Sequence, residues 1–204
     1  MLLKSITDPA DLKKLSVAEL QQVSEEARTV LLEKISHHGG HNGPNLGVVE
    51  MTVALHAVFD SPRDKMIFDV SHQTYIHKML TGRGQAFWDP AHYSDVSGYT
   101  NPKESDHDLF TVGHTSTSLS LANGVAKARD LKNEEGNVIA VIGDGSLSGG
   151  LAYEGLNNIA ETGTNTIVIV NDNDQSIAEN HGGLYNNLRA LRDTNGQAEN
   201  NFFK

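Results

Sequence analysis

The sequence predicts an α/β fold: a mostly parallel sheet flanked by helices in a three-layer sandwich. Three observations carry this. Val138-Ile-Ala-Val-Ile142 and Thr166-Ile-Val-Ile-Val170 are apolar, β-branched runs of strand length. A helix-length segment joins them, so they read as one βαβ unit whose crossover sets the two strands side by side and parallel. Met66-Ile-Phe-Asp-Val70 reads as a third, short strand.

The remaining elements follow in chain order. Ser16-Val-Ala-Glu19 is a capping box, and Val17, Leu20, Val23, Ala27, Val30 and Leu31 recur at helical spacing. A first helix is therefore expected to about Ser36. His37-His-Gly-Gly-His-Asn-Gly-Pro-Asn45 is a glycine-rich loop, and a second helix should cover about Gly47 to Phe59. Ser61-Pro-Arg-Asp64 is a turn before the short strand, whose end carries Ser71-His72-Gln73. From Gly82 to Asp108 the chain reads as a long loop over the sheet. Phe87 and Trp88 are expected to anchor it, with Glu104, Asp106, His107 and Asp108 as solvated surface. A helix rich in small residues is expected from Thr115 to Leu131, and another from about Ser148 to Glu161. Beyond Ser176, Asn186, Asn187, Asp193, Asn195 and Gly196 predict an exposed stretch, and Phe202-Phe203-Lys204 looks like the start of a further element.

A chain of 204 residues can bury its own core as one domain. The formal net charge of −10 argues against nucleic acid or an anionic membrane as partner. There is no cysteine, which excludes disulfides, thiolate catalysis and cysteine-based zinc sites. No apolar run has the length of a membrane span or a signal-peptide core, so a soluble cytoplasmic protein is expected.

The chemistry concentrates at the strand ends. Gly143-Asp-Gly145 and Asn171-Asp-Asn173 fall at the carboxyl edge of the sheet, where open α/β sheets bind ligands. An Asp144 carboxylate and an Asn173 amide oxygen are hard donors, suited to Mg²⁺ or Ca²⁺ rather than zinc. The glycines flanking Asp144 let backbone N–H groups approach an anion closely. In an acidic protein the combination predicts a metal-bridged diphosphate. Gly143 to Ser148 is no dinucleotide fingerprint, since Ser148 stands where the third glycine belongs, and no P-loop Lys-Ser/Thr pair follows. Among the ten histidines, His37, His38 and His41 crowd one loop at a spacing too loose for zinc. His72 and His114 adjoin a strand end and a helix start, where an imidazole can donate to phosphate.

The paired tips resemble the thiamine diphosphate motif of transketolase-type enzymes. Four further segments resemble the 1-deoxy-D-xylulose-5-phosphate synthase family: Gly39-Gly-His-Asn-Gly-Pro-Asn-Leu-Gly-Val-Val-Glu50, Phe68-Asp-Val-Ser-His-Gln-Thr-Tyr-Ile-His-Lys78, Leu80-Thr-Gly-Arg83 and Gly113-His-Thr-Ser-Thr-Ser118. The resemblance implies a thiamine diphosphate-binding fold and a reaction joining pyruvate to glyceraldehyde 3-phosphate with loss of CO₂. It implies that Asp144, Asn173 and the backbone carbonyl of Gln175 ligate Mg²⁺, while Gly145 and Ser146 cradle the diphosphate. It further implies that His72, Gly113, His114 and Thr115 contact the cofactor and that Ile177 packs under its rings. His41, His72 and His114 would line the pocket where the donor keto acid adds.

Ser71, Asp174 and Gln175 depart from the family pattern of Gly, Glu and Met, and Tyr99-Thr-Asn-Pro-Lys103 replaces a stretch that usually carries an Arg. By resemblance the 204 residues are most of the diphosphate-binding domain only. The pyrimidine-binding domain, with its activating glutamate, and the C-terminal domain would come from more of the chain or from a partner subunit. A homodimer is implied for the full-length enzyme, and no turnover for this piece alone. Two alternatives remain: a transketolase-like two-carbon ketol transferase, and a non-catalytic binding module, against which the intact Asp144/Asn173 pair speaks.

Overall fold

The computed structural model of the protein describes residues 1–199 and 201–203; Lys204, within the expected terminal element, lies outside the described residues. In chain order the elements are α1 (Val17–His38), α2 (Gly43–Leu46), α3 (Val49–Val58), β1 (Lys65–Phe68), α4 (Tyr75–Lys78), α5 (Gln85–Trp88), α6 (Ser118–Lys132), β2 (Val138–Gly143), α7 (Asp144–Leu147), α8 (Gly150–Thr162), β3 (Thr166–Asn171) and α9 (Gly183–Asp193). Short 3₁₀ turns at Leu3–Ser5, Pro9–Lys14 and Pro90–His92 and a kinked π-helical segment at Met79–Arg83 complete the order.

The three strands form a parallel sheet in the order β1-β2-β3. Phe68 pairs with Val141 and Gly143 with Asn171, so the polar tips open at one sheet edge. Side chains alternate between the faces, as the period of two requires. Met66, Phe68, Ile139 and Val141 pack with Leu55 of α3. Ile67, Val138, Ala140 and Ile142 pack with Leu119, Ala122 and Ala126 of α6 and Ala152 of α8. Helices on both faces make the three layers. A third cluster holds α1 against α3, with Val23, Ala27, Val30 and Leu31 meeting Val49, Val53 and Phe87.

The first helix starts as expected, because Ser16 and Glu19 form the reciprocal capping box. The second forms as α3, and the glycine-rich loop before it carries the extra turn α2, set off by Val48 (φ −122°, ψ 11°). The helix expected from Ser148 forms as α8, with the extra turn α7 before it.

Two expectations are corrected. The stretch after Ser176 is not merely exposed, for it contains α9, which buries Tyr185 and Leu188 against the α6 face of the sheet. Leu184 packs beside them, while Asn186 stays exposed. The acidic cluster is solvated at Asp106 only, not at Asp108 or Glu104. Asp108 is buried, accepts from both Nη atoms of Arg83 at 2.7 and 3.0 Å, and bonds His77 Nε2 at 2.9 Å. Glu104 takes Lys78 Nζ at 2.6 Å. Charges from α4 and from the segment after it, far away in sequence, neutralise this cluster, and the long loop is thereby pinned. Within that loop Phe87 is fully buried against α1, as an anchor should be.

Candidate functional site: a cleft at the strand ends

A cleft of about 770 Å³ opens at the carboxyl edge of the sheet. His41, His72, Thr115, Asp144, Gly145, Ser146, Asn173, Gln175 and Ile177 all line it. Gly113 and His114 are outside its lining; His114 is exposed, with Nδ1 turned to the Thr115 carbonyl at 2.7 Å.

The first wall follows β1. Val70 (φ +58°) and Ser71 (φ +66°) are both left-handed, an arrangement that costs energy for a β-branched Val. Ser71 stands where glycine would enter this conformation freely. Its hydroxyl compensates, donating to the Val112 carbonyl at 3.1 Å and accepting from Thr100 N–H at 3.0 Å. The turn presents His72, whose ring lies edge-on to His41 with centroids 5.4 Å apart. Burial, together with the neighbouring His41, lowers the His72 pKa, so the ring is neutral at pH 7. Its Nδ1 is buried without a partner. Asn45, fully buried, ties the two histidine segments together. Its Nδ2 donates to the His41 and His72 carbonyls at 2.7 and 2.8 Å, while Oδ1 receives Tyr75 N–H at 2.9 Å.

The second wall is the start of α7. Asp144 is only 4% exposed. Its Oδ1 accepts the Gly145 N–H at 2.9 Å and its Oδ2 the Asn180 Nδ2 at 2.9 Å. Burial raises its pKa, and the Asp172 carboxylate beside it adds to the rise against the opposing Gly145 bond. A side chain on Gly145 would collide with Ser176 Oγ and Cβ, so glycine allows the two loops to meet. The third wall is the turn after β3. Asn173 Oδ1 accepts Gln175 N–H at 3.1 Å, Asp174 is left-handed (φ +63°), and Ser176 Oγ donates to Asn180 Oδ1 at 2.7 Å. Ile177 stands fully exposed on the rim.

Several residues that shape the site were not legible as such. Asp69 receives Ser116 N–H and Ser118 N–H at 2.8 and 3.0 Å, capping α6 from another element. Asn180 and Arg192 brace the Asp144 and Asp172 carboxylates. Asn45 lay inside a quoted motif, where a buried bridging amide looks like any loop asparagine.

With the Asp144 carboxylate, the Asn173 amide oxygen and the Gln175 backbone lining one cleft, the site offers hard oxygen donors for a divalent cation, and the glycine-bearing start of α7 brings backbone close to an anion. Among the described residues no three His, Cys, Asp or Glu side chains gather into a metal cluster. No helix among them is long and apolar enough to cross a membrane.

The sequence profile of the family described as 1-deoxy-D-xylulose-5-phosphate synthase matches residues 3–201. The chain is 53% identical over 192 residues to a 1-deoxy-D-xylulose-5-phosphate synthase of Symbiobacterium thermophilum, covering 94% of this chain and 30% of that protein. To the synthase of the same name from Brevibacillus brevis it is 54% identical over 194 residues, 95% of this chain and 31% of the relative. The synthase of Caldanaerobacter subterraneus is 54% identical over 191 residues, with coverages of 94% and 31%. The chain thus spans about 30% of the length of these curated relatives. With the family profile matched over residues 3–201 and about half of its residues identical to these relatives, the chain belongs to the 1-deoxy-D-xylulose-5-phosphate synthase family.

Proposed function

We propose that this chain is the diphosphate- and metal-binding part of a thiamine diphosphate-dependent 1-deoxy-D-xylulose-5-phosphate synthase. The observation that carries this reading is the Asp144 carboxylate, buried against Asp172 with its pKa raised. Arg192 pairs with Asp172, but among the described residues Asp144 has no ion pair, and a Mg²⁺ ion would supply that charge. Asp144, Asn173 Oδ1 and the Gln175 carbonyl would hold the ion. The backbone of Gly145 and Ser146 would bind the diphosphate, with Thr115 on the opposite wall and Ile177 beneath the rings. The cofactor, when bound, supplies the nucleophilic carbon for joining pyruvate to glyceraldehyde 3-phosphate with loss of CO₂.

The chain's own contribution is orientation and proton handling. His72, held neutral by burial and lining the cleft, is able to accept or relay a proton at the donor carbonyl. His41 packs edge-on against it and closes the same wall. His114 and Gly113, set off the cleft lining, would reach the cofactor only with further elements in place. The activating glutamate and the acceptor-phosphate contacts would come from the remainder of a full-length, homodimeric, cytoplasmic enzyme, so this piece alone is expected to be inactive. Ketol transfer between sugar phosphates is the lesser reading, since the named relatives are synthases.

A thermal-shift titration tests the proposal. Thiamine diphosphate and Mg²⁺ together should raise Tm, neither should do so alone, and Asp144→Ala should abolish the effect. A shift that survives Asp144→Ala would overturn the ligand assignment. The same titration on a full-length enzyme separates a half-site that needs its partner domain from a wrong assignment.

A further inference from the structure

Behind His41, which forms a common wall with the main cleft, lies a second cavity of about 300 Å³. Lys34 of α1 forms its floor and is 4% exposed. Its Nζ donates to the Ala86 carbonyl at 2.8 Å and stands 4.1 Å from the Phe87 ring centroid and 5.6 Å from that of Tyr93. The carboxylates that influence it are engaged elsewhere: Asp95 bonds His92 at 2.6 Å, and Glu104 bonds Lys78 at 2.6 Å. Among the described residues, Lys34 is therefore a buried ammonium compensated by one carbonyl and by aromatic faces.

That is an expensive arrangement for a purely structural residue. Its cost is visible in the pKa, lowered to about 8 by burial and by the like charge of Lys78, with Asp95 and Glu104 pulling the other way. At neutral pH the amine is still mostly charged. His38 stacks edge-on to Tyr93 at 5.8 Å; the Ser97 hydroxyl in the lining already donates to the Tyr99 carbonyl at 2.7 Å, which leaves Lys34 as the charge that an anion would meet. Glycines keep the walls low: a Cβ on Gly40, which has φ +134°, would stand 2.8 Å from the Tyr75 hydroxyl.

We propose that this cavity is an oxyanion subsite built on Lys34, which takes the phosphate or carboxylate end of a small metabolite. Its volume lies at the small end of small-molecule pockets and suits a small metabolite. The assignment goes beyond the diphosphate-binding reading and does not depend on it, since Lys34, His38 and Tyr93 are absent from the main cleft's lining.

Calorimetric titration of the 204-residue chain with sulfate, phosphate, glycerol 3-phosphate and acetate tests this. Saturable binding is expected in the wild type, weakened about tenfold or more in Lys34→Met and unchanged in Asp144→Ala. The phosphate and acetate arms tell which oxyanion the site prefers. No saturable binding, or equal binding by Lys34→Met, would overturn the proposal. Binding lost in Asp144→Ala but kept in Lys34→Met would place the anion in the main cleft and overturn it as well. Should Lys34→Met fail to fold, the Lys34 side-chain nitrogen signal of the wild type must shift on sulfate addition, and a static signal is disproof.

Discussion

The Asp69 carboxylate receives the Ser116 N–H at 2.8 Å across 47 residues of sequence, fastening the end of β1 to the turn that opens α6. A second bond, from Ser118 N–H at 3.0 Å, makes Asp69 a cap supplied from outside the helix, whose own N-cap residue Thr117 makes no side-chain cap. Ser116 then donates its hydroxyl to the Ser146 carbonyl at 2.7 Å. Three loops at the cleft are thereby held by one chain of bonds, and the negative charge sits at the positive end of the α6 dipole.

Asp69→Ala should cost about 3 kcal/mol, the worth of two charge-assisted bonds to otherwise orphaned, buried N–H groups. The midpoint of urea unfolding measures it. A midpoint equal to wild type would show that α6 finds another cap.

Asp108→Asn should cost about 3–5 kcal/mol, because it leaves the Arg83 guanidinium buried beside a neutral partner. Burial alone would raise the Asp108 pKa, but His77 and Arg83 outweigh it and hold the carboxyl well below the usual range. Chemical denaturation of the variant checks the loss. A cost under about 1 kcal/mol would mean that the cluster behaves as an exposed pair.

Stability should fall as pH drops below about 6.5. His56 Nε2 meets His77 Nδ1 at 2.9 Å in the core, and burial, with the mutual effect of the two rings on His56, lowers the pKa of both. The unfolded chain then binds protons that the folded one refuses, so the contribution is complete above pH 6.5 and is lost on acidification. His72 and His107 add to this slope; His92, raised by Asp95, opposes it. Each depressed group contributes up to about 1.4 kcal/mol per pH unit. His56→Phe should flatten the Tm profile between pH 7 and 5, both values chosen to bracket the ordinary His range at about 6.5. An unchanged profile would clear His56 of the effect.

Gly155→Ala should cost about 1–3 kcal/mol by overpacking. Its Cβ would lie 2.7 Å from Leu119 Cβ and 3.0 Å from Ser120 N, where α8 crosses α6, and a helix backbone cannot move aside cheaply. Thermal unfolding reads this directly, and a neutral result would show that the two helices slide.

Arg192→Ala should cost about 1 kcal/mol, since its ion pairs with Asp172 and Asp174 are partly exposed. The local effect should be larger. Hydrogen exchange at Asp174 and Gln175 N–H should speed up while the β2 amides stay protected. Uniform exchange rates in the two proteins would show that α9 does not brace the turn.

The sequence by itself determined the sheet and its chemistry-bearing edge. Apolar β-branched runs can only be buried strands, and a strand–helix–strand spacing leaves little choice but parallel neighbours, so Asp144 and Asn173 were legible as one edge. Tertiary structure decided whatever depends on partners distant in the chain. Asp108 and Glu104 look solvated until Arg83 and Lys78 are brought to them. The α9 stripe looks polar until the α6 face of the sheet receives Tyr185 and Leu188. Asp69, Asn45 and Lys34 are ordinary polar residues in sequence. Only burial, which raises the cost of every unpaired charge or amide, gives them their caps, bridges and cavity.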